Sequence, residues 1–332
     1  MIDLHLHLDG SLSERDFLYL LNKEGIPIPK DFPSCIYVPE GCTSLEEYLT
    51  RFDLPCSLMQ SRENLRFVTR SLVNRLHQLG YIYAEIRFAS QLHTKKGLSQ
   101  VEVINAVLEG LKEGLIGKAN FDVNLIVCCM RQASPKINEE TLKAVLEVNN
   151  PKIVAVDLAG PEAFLPSLAY KDLFKIARDN HIHMTIHAGE ACPNESIMGA
   201  IDIGAERIGH GVHLSFDEES LKKVKENNIS FEFCPTSNLQ TTSLPNYESV
   251  PLKEFKKHGI KVSINSDNMT VSNTDVIQEF RHLYQIHKFT KEEINEYLVH
   301  ALDMAFISEE ERERFKFVLK YKIDDFYQKI IS

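Results

Sequence analysis

Four short segments join apolar runs to groups that bind metals or move protons. They are Ile2-Asp3-Leu4-His5-Leu6-His7-Leu8-Asp9, Ile182 to His187 followed by Ala188-Gly189-Glu190, Arg207-Ile208-Gly209-His210-Gly211, and Ile260 to Asp267. In each, an ionisable group closes the apolar run, where a strand passes into a loop. Such a group is held by the sheet yet open to a ligand. Three of these imidazoles with the carboxylate of Asp267 suit zinc, which accepts nitrogen and oxygen donors and keeps a position for water. Glu190, just beyond His187, is placed to carry a proton, because a carboxyl in a closed pocket holds its proton to higher pH. Taken singly, a strand-end histidine reads as a structural residue, and Glu190 as a helix cap or surface acid. The recurrence at four ends, with few ionisable groups expected inside the strands, points to a metal site.

The elements that must hold these groups alternate along the chain. Residues 2–7 have the period-two pattern of a strand. A long insertion follows, with a helix from Ser13 to Glu24, a loop carrying Pro27, Pro29, Pro33 and Pro39, and a second helix near Leu45–Met59. Connections of this size usually cover a site. Beyond Ser61, strands near 81–87, 122–129, 153–157, 182–187, 207–210, 229–233 and 260–265 are separated by helical patterns. The helix after Ser61 places Leu65, Val68, Leu72, Leu76 and Leu79 on one face and stops at Gly80. The tail, 274–332, reads as helices opened at Asp275, Thr290 and Ser308. Eight strands alternating with helices over about 250 residues favour a parallel (β/α)8 TIM-type barrel, with a doubly wound sheet as the alternative. Extra helices follow strand one and occupy the C-terminus, and residues 1–332 are expected to form one domain. In a closed barrel, strands one and eight are neighbours, which brings Asp267 beside His5 and His7. Those two histidines, at i and i+2, share one side of their strand.

Composition limits the partners. The 332 residues are 43% hydrophobic and 25% charged, an ordinary globular mixture. A net charge of −10 speaks against nucleic acid, which requires clustered Lys and Arg. No run of about 18 apolar residues is present to span a membrane, and polar residues at the start leave no signal-peptide core. Seven cysteines without Cys-x-x-Cys spacing argue against a disulfide framework or a cysteine zinc site. The expectation is a cytoplasmic chain with reduced thiols acting on a small molecule.

The order His5-Leu6-His7-Leu8-Asp9-Gly10, Val156-Asp157-Leu158-Ala159-Gly160, His187-Ala188-Gly189-Glu190, Ala205 to Gly211, Cys234-Pro235-Thr236-Ser237-Asn238 and Ser263 to Asp267 resembles the adenosine deaminase family of metal-dependent amidohydrolases. The series spans nearly the whole chain. The resemblance implies a (β/α)8 barrel with one zinc on His5, His7, His187 and Asp267. Water activated by that metal would attack C6 of a purine nucleoside. His210 would orient the water and take its proton, Asp267 would hold it, and Glu190 would protonate N1. Gly160 would donate its N–H to N3, and Asp9 would receive the ribose 5′-hydroxyl. Leu45, Tyr48, Leu49 and Phe52 stand where the family has an apolar lid.

Two departures bear on substrate. Asn268 replaces the family's second acid, which donates to purine N7; an amide donates without needing a carboxyl proton. Arg87-Phe88-Ala89-Ser90-Gln91 lacks the family's Ser-Pro. Deamination of adenosine and deoxyadenosine is the leading expectation. The alternative is another 6-aminopurine, namely adenine, an N6-substituted adenine or a modified nucleoside. A two-metal amidohydrolase is disfavoured because the fourth strand ends at Asp157 with no lysine, and a non-catalytic descendant is disfavoured by intact Glu190, His210 and all four ligands. The Pro-Cys-x-x-Cys pattern of cytidine-type deaminases is absent.

Overall fold

The computed structural model describes residues 1–332. Its strands are β1 (Ile2–His7), β2 (Tyr83–Phe88), β3 (Asp122–Met130), β4 (Ile153–Ala159), β5 (His183–Ala188), β6 (Arg207–His210), β7 (Ser230–Phe233) and β8 (Val262–Ile264). They pair in parallel in chain order. The ring closes through Asp267, whose N–H donates to His5 O at 2.9 Å and whose carbonyl accepts from His7 N at 2.7 Å. Side chains extend this seam, because β8 is short: Leu4 N donates to the Asn265 carboxamide oxygen at 2.9 Å, and the Ser266 hydroxyl donates to Asp3. The architecture is the parallel barrel expected, not an open sheet.

Helices separate the strands and pack apolar faces on the barrel. The helix Arg62–Leu79 buries Leu65, Val68, Leu72 and Leu76 and ends at Gly80, whose φ of 92° suits a residue without Cβ. Reciprocal caps open the helices Glu14–Lys23, Gln100–Leu115, Lys291–Met304 and Glu309–Ile331. No helix is long and apolar enough to cross a membrane.

Three expectations need correction. The helix expected over Leu45–Met59 is broken into Leu45–Leu49 and Asp53–Leu58, joined by a 3₁₀ turn at Thr50–Phe52. Pro55 lacks the N–H that a continuous helix would pair with Arg51, so the chain restarts just before it. A short helix, Pro235–Gln240, follows β7 where none was expected. Proline at its first turn and a bond from Thr236 N to the Glu279 carboxylate at 3.0 Å hold it, so it needs no apolar periodicity. Finally, the strands are rich in charge. Asp3, Glu85, Arg87, Asp157, Arg207 and Glu232 all lie inside strands and are buried. Asp3 is held by hydrogen bonds from Ser266, and the others persist there because they are paired: Arg87 bridges Asp157 at 3.0 Å and Glu232 at 2.7 Å, while Arg207 joins Glu232 at 2.7 Å and also Glu85.

Candidate active site

The strand ends bring four donor atoms to one point at the barrel mouth. His5 Nε2 and His187 Nε2 are 3.0 Å apart, and His7 Nε2 and His187 Nε2 are 3.3 Å apart. Asp267 Oδ1 lies 3.5 Å from His5 Nε2 and 3.4 Å from His7 Nε2. Four donors about 2.0 Å from a zinc ion stand roughly 3.3 Å apart in a tetrahedron. The far side of two rings decides which atom is the donor. His5 Nδ1 faces Glu232 at 2.8 Å, and His187 Nδ1 faces Asp157 at 2.9 Å. Both carboxylates stay ionised: burial opposes this, but Arg87 and Arg207 around Glu232, and His187 and Arg87 around Asp157, outweigh it. Each Nδ1 therefore carries the hydrogen, and the Nε2 lone pairs point at one another. Lone pairs converging at these distances repel unless a cation sits between them, so the donor set fits a metal.

Backbone conformation aims the neighbouring groups. His210 (φ 61°) and Asp267 (φ 58°) are non-glycine residues in the left-handed region, each just where a strand gives way to a loop. His210 Nε2 lies 3.6 Å from Glu190 Oε2, and its Nδ1 is 3.1 Å from the Asn238 amide nitrogen. Burial holds the His210 imidazole neutral, with His5 adding to the effect. Burial likewise raises the Glu190 carboxyl well above the usual range, and Asp267 and Glu162 reinforce this. The loop bearing Glu190 is fixed by Glu162, whose carboxylate accepts the N–H groups of Gly189, Glu190, Ala191 and Cys192 at 2.6–3.0 Å.

A cavity of about 230 Å³ opens over this centre. His7, His187, Asp267, Glu190 and His210 line its floor, and His5 lies buried beneath. Asp9, Gly160 and Asn268 line its walls, and Leu45, Tyr48, Leu49 and Phe52 its cover. The structure thus brings together every site residue the sequence singled out. Burial pushes the Asp9 carboxyl up to about 6; one of its oxygens accepts the Cys56 thiol at 3.7 Å, while the other has no partner. Gly160 (φ 95°) makes room for Gln132, whose side-chain oxygen would lie 2.4 Å from a Cβ there. Ala89 lines the cavity beside Cys128, and Ser90 turns away to bond Gln100 at 2.7 Å.

Several contributors were missed in the sequence. Glu232 and Asp157 orient the imidazoles of His5 and His187, Arg87 holds both of those carboxylates, and Cys56 and Lys95 line the cavity. The signal for Arg87 was available: Glu85 and Arg87 share the alternation of an inward face. Cys234 is near His5 and His210, but burial raises its thiol pKa, and the thiol lies 3.7 Å from the Glu232 carbonyl. His183, near the site in sequence, sits at the opposite end of β5 and pairs with Glu206 at 2.9 Å.

Comparison with known proteins agrees with this geometry. The adenosine deaminase family model matches residues 1–320. An adenosine deaminase of Haemophilus ducreyi is 40% identical over 320 residues, covering 94% of this chain and 93% of its own. Among solved structures, an adenine deaminase from Arthrobacter aurescens has a TM-score of 0.88 at 23% identity, covering 97% of this chain and 98% of that one. The N6-methyl-AMP deaminase of Arabidopsis thaliana has a TM-score of 0.85 at 24% identity, covering 98% and 97%. The chain belongs to the adenosine deaminase family, hydrolases that act on C–N bonds of cyclic amidines.

Proposed function

We propose that the chain is a zinc-dependent deaminase converting adenosine and deoxyadenosine to inosine and deoxyinosine with release of ammonia. The observation that carries this reading is a buried, proton-holding Glu190 beside neutral His210, both facing four converging donors. Held by His5, His7, His187 and Asp267, the zinc would supply the acidity that makes water a nucleophile at neutral pH. With the Asn238 carboxamide turned so that its otherwise unpartnered oxygen accepts Nδ1–H, His210 Nε2 keeps a free lone pair and takes the proton of the water that attacks C6, and Asp267 holds that water in line. Glu190 gives its proton to N1, so charge does not build on the ring as C6 becomes tetrahedral. His210 then gives the proton it took to the amino nitrogen, the C6–N bond breaks to release ammonia, and the C6 hydroxyl returns its proton to Glu190, leaving C6=O and N1–H.

The remaining residues orient the substrate, a small-molecule purine nucleoside. The Gly160 N–H reaches N3, an Asn268 N–H reaches N7, and the unpartnered oxygen of Asp9 receives the 5′-hydroxyl. An anionic Asp9 in this wall favours a sugar hydroxyl over a 5′-phosphate, which it would repel. Leu45, Tyr48, Leu49 and Phe52 exclude water from the base. Asn268 also supports a second reading, a related 6-aminopurine such as adenine or an N6-substituted adenine, since an amide differs from an acid in what it offers the ring.

The test is the ultraviolet change on deamination, followed with adenosine, deoxyadenosine, adenine and N6-methyladenosine. Efficient turnover of the two nucleosides supports the first reading. Activity confined to adenine or the N6-methylated substrate supports the second, and inactivity on all four overturns both.

A further inference from the structure

Asn268 has neighbours that give its amide a second partner. Its Nδ2 lies 2.8 Å from the Tyr48 hydroxyl, which lies 2.7 Å from Ser272 Oγ. Asn268, Tyr48 and Ser272 are all buried. The other amide atom, Oδ1, has no partner and packs against Gly10, where an added Cβ would come within 1.8 Å of it. The oxygen is thus turned away to Gly10, and the nitrogen is turned toward Tyr48, which lines the cavity alongside Asn268.

An amide nitrogen carries two hydrogens, and Tyr48 accepts one. Tyr48 can do so because its own hydrogen has an acceptor in Ser272. The second amide hydrogen is left for a ring nitrogen. A carboxyl at this position would have at most one hydrogen and could not donate to both. Tyr48 also belongs to the Leu45–Leu49 helix, which packs with Cys42 and Val271 in a small apolar cluster apart from the main core. An element with so few buried contacts can open independently of the barrel.

The geometry points to Tyr48 as a positioning residue for base recognition: seated in the closed cover, it holds the Asn268 amide so that one N–H faces purine N7. Recognition of the base and seating of the cover are then one event, because opening the Leu45–Leu49 helix removes the acceptor that fixes the amide. This inference rests on the 6-aminopurine reading and adds the residue that sets its N7 specificity.

The experiment is steady-state kinetics of the metal-loaded full chain with adenosine and with 7-deazaadenosine, which has a C–H in place of N7. Where turnover of the deaza compound is too slow, its inhibition constant replaces kcat/KM. Tyr48→Phe is expected to lower kcat/KM for adenosine about tenfold, the effect of one misplaced buried donor, and to change the 7-deazaadenosine value less than about twofold. Ser272→Ala leaves the cover intact and is expected to shift the ratio of the two substrates in the same direction. Equal losses on both substrates in Tyr48→Phe would mean that Tyr48 only packs the cover, and would overturn the inference while leaving the substrate reading intact. Failure of the unmodified chain to act on any of adenosine, deoxyadenosine, adenine and N6-methyladenosine, seen before any variant is compared, would remove the substrate reading and this inference together.

Discussion

A carboxyl beside a cluster of metal donors can either join them or carry a proton, and surroundings decide which. Asp267 is embraced by His5 and His7, and these imidazoles outweigh the burial that opposes its ionisation. Glu190 meets burial and two acidic neighbours with no cation beside it, so it keeps its proton. Glu190→Gln is therefore expected to bind metal as the unmodified chain does while losing roughly 10²- to 10⁴-fold in kcat, the usual contribution of a general acid. Metal content and kcat measured on the same preparation check this; loss of metal with loss of activity would make Glu190 a ligand. At this scale the site was legible in the sequence, since His7, His187, His210 and Asp267 each close an apolar run and His5 precedes His7 by two on the same side of the strand. Glu232 and Asp157 were not, because a charge inside a strand declares its partner only once the barrel has closed around it.

Elements deliver these side chains, and buried carboxylates hold the elements. Glu162 gathers four N–H groups of the loop that bears Glu190. Glu279 accepts Thr236 N at 3.0 Å and the Thr274 hydroxyl at 2.7 Å, so it secures the start of the Pro235–Gln240 helix, which carries Asn238 to His210. Burial raises the Glu279 carboxyl from 4.5 to about 7. The unfolded chain releases this proton first, so the folded chain holds an extra proton between those values. Stability accordingly falls as pH rises through the window, by roughly 3 kcal/mol from this group. Glu279→Gln still accepts Thr236 N through its amide oxygen, donates to the Thr274 hydroxyl instead of accepting from it, and cannot ionise. Urea unfolding at pH 5 and pH 7.5 should show the variant gaining about that much relative to the unmodified chain at the higher pH; an unchanged difference would contradict the assignment. Helices with reciprocal caps and an apolar stripe were legible here. Pro235–Gln240 was not, because its anchor lies on a distant helix, whereas Pro55 marks the break between Leu45–Leu49 and Asp53–Leu58 by lacking an N–H.

At the scale of the molecule, the barrel seam and the proposed metal site coincide. Asp267 closes β8 onto β1 with its backbone and offers its side chain to the centre, so a bound ion would tie β1, β5 and β8 together. Without it, converging lone pairs oppose the closure. A ligand at a thousand times its Kd adds about 4 kcal/mol to stability, so chelation is expected to lower Tm by roughly 5–15 °C. An unaltered Tm would mean that the donors bind nothing. The alternation of strands and helices made the barrel legible, and with it the meeting of strands one and eight. The paired charges inside the barrel were hidden, since their partners lie on four strands, β2, β4, β6 and β7, that meet only when the barrel closes.

The dependence of deamination on one metal per chain is tested most directly by titrating the metal-free chain with zinc while adenosine turnover is followed by its ultraviolet change. Negligible rate is expected without metal, with a rate that rises linearly and levels at one equivalent per chain. Full turnover in the metal-free chain, or none at one equivalent, would contradict that dependence.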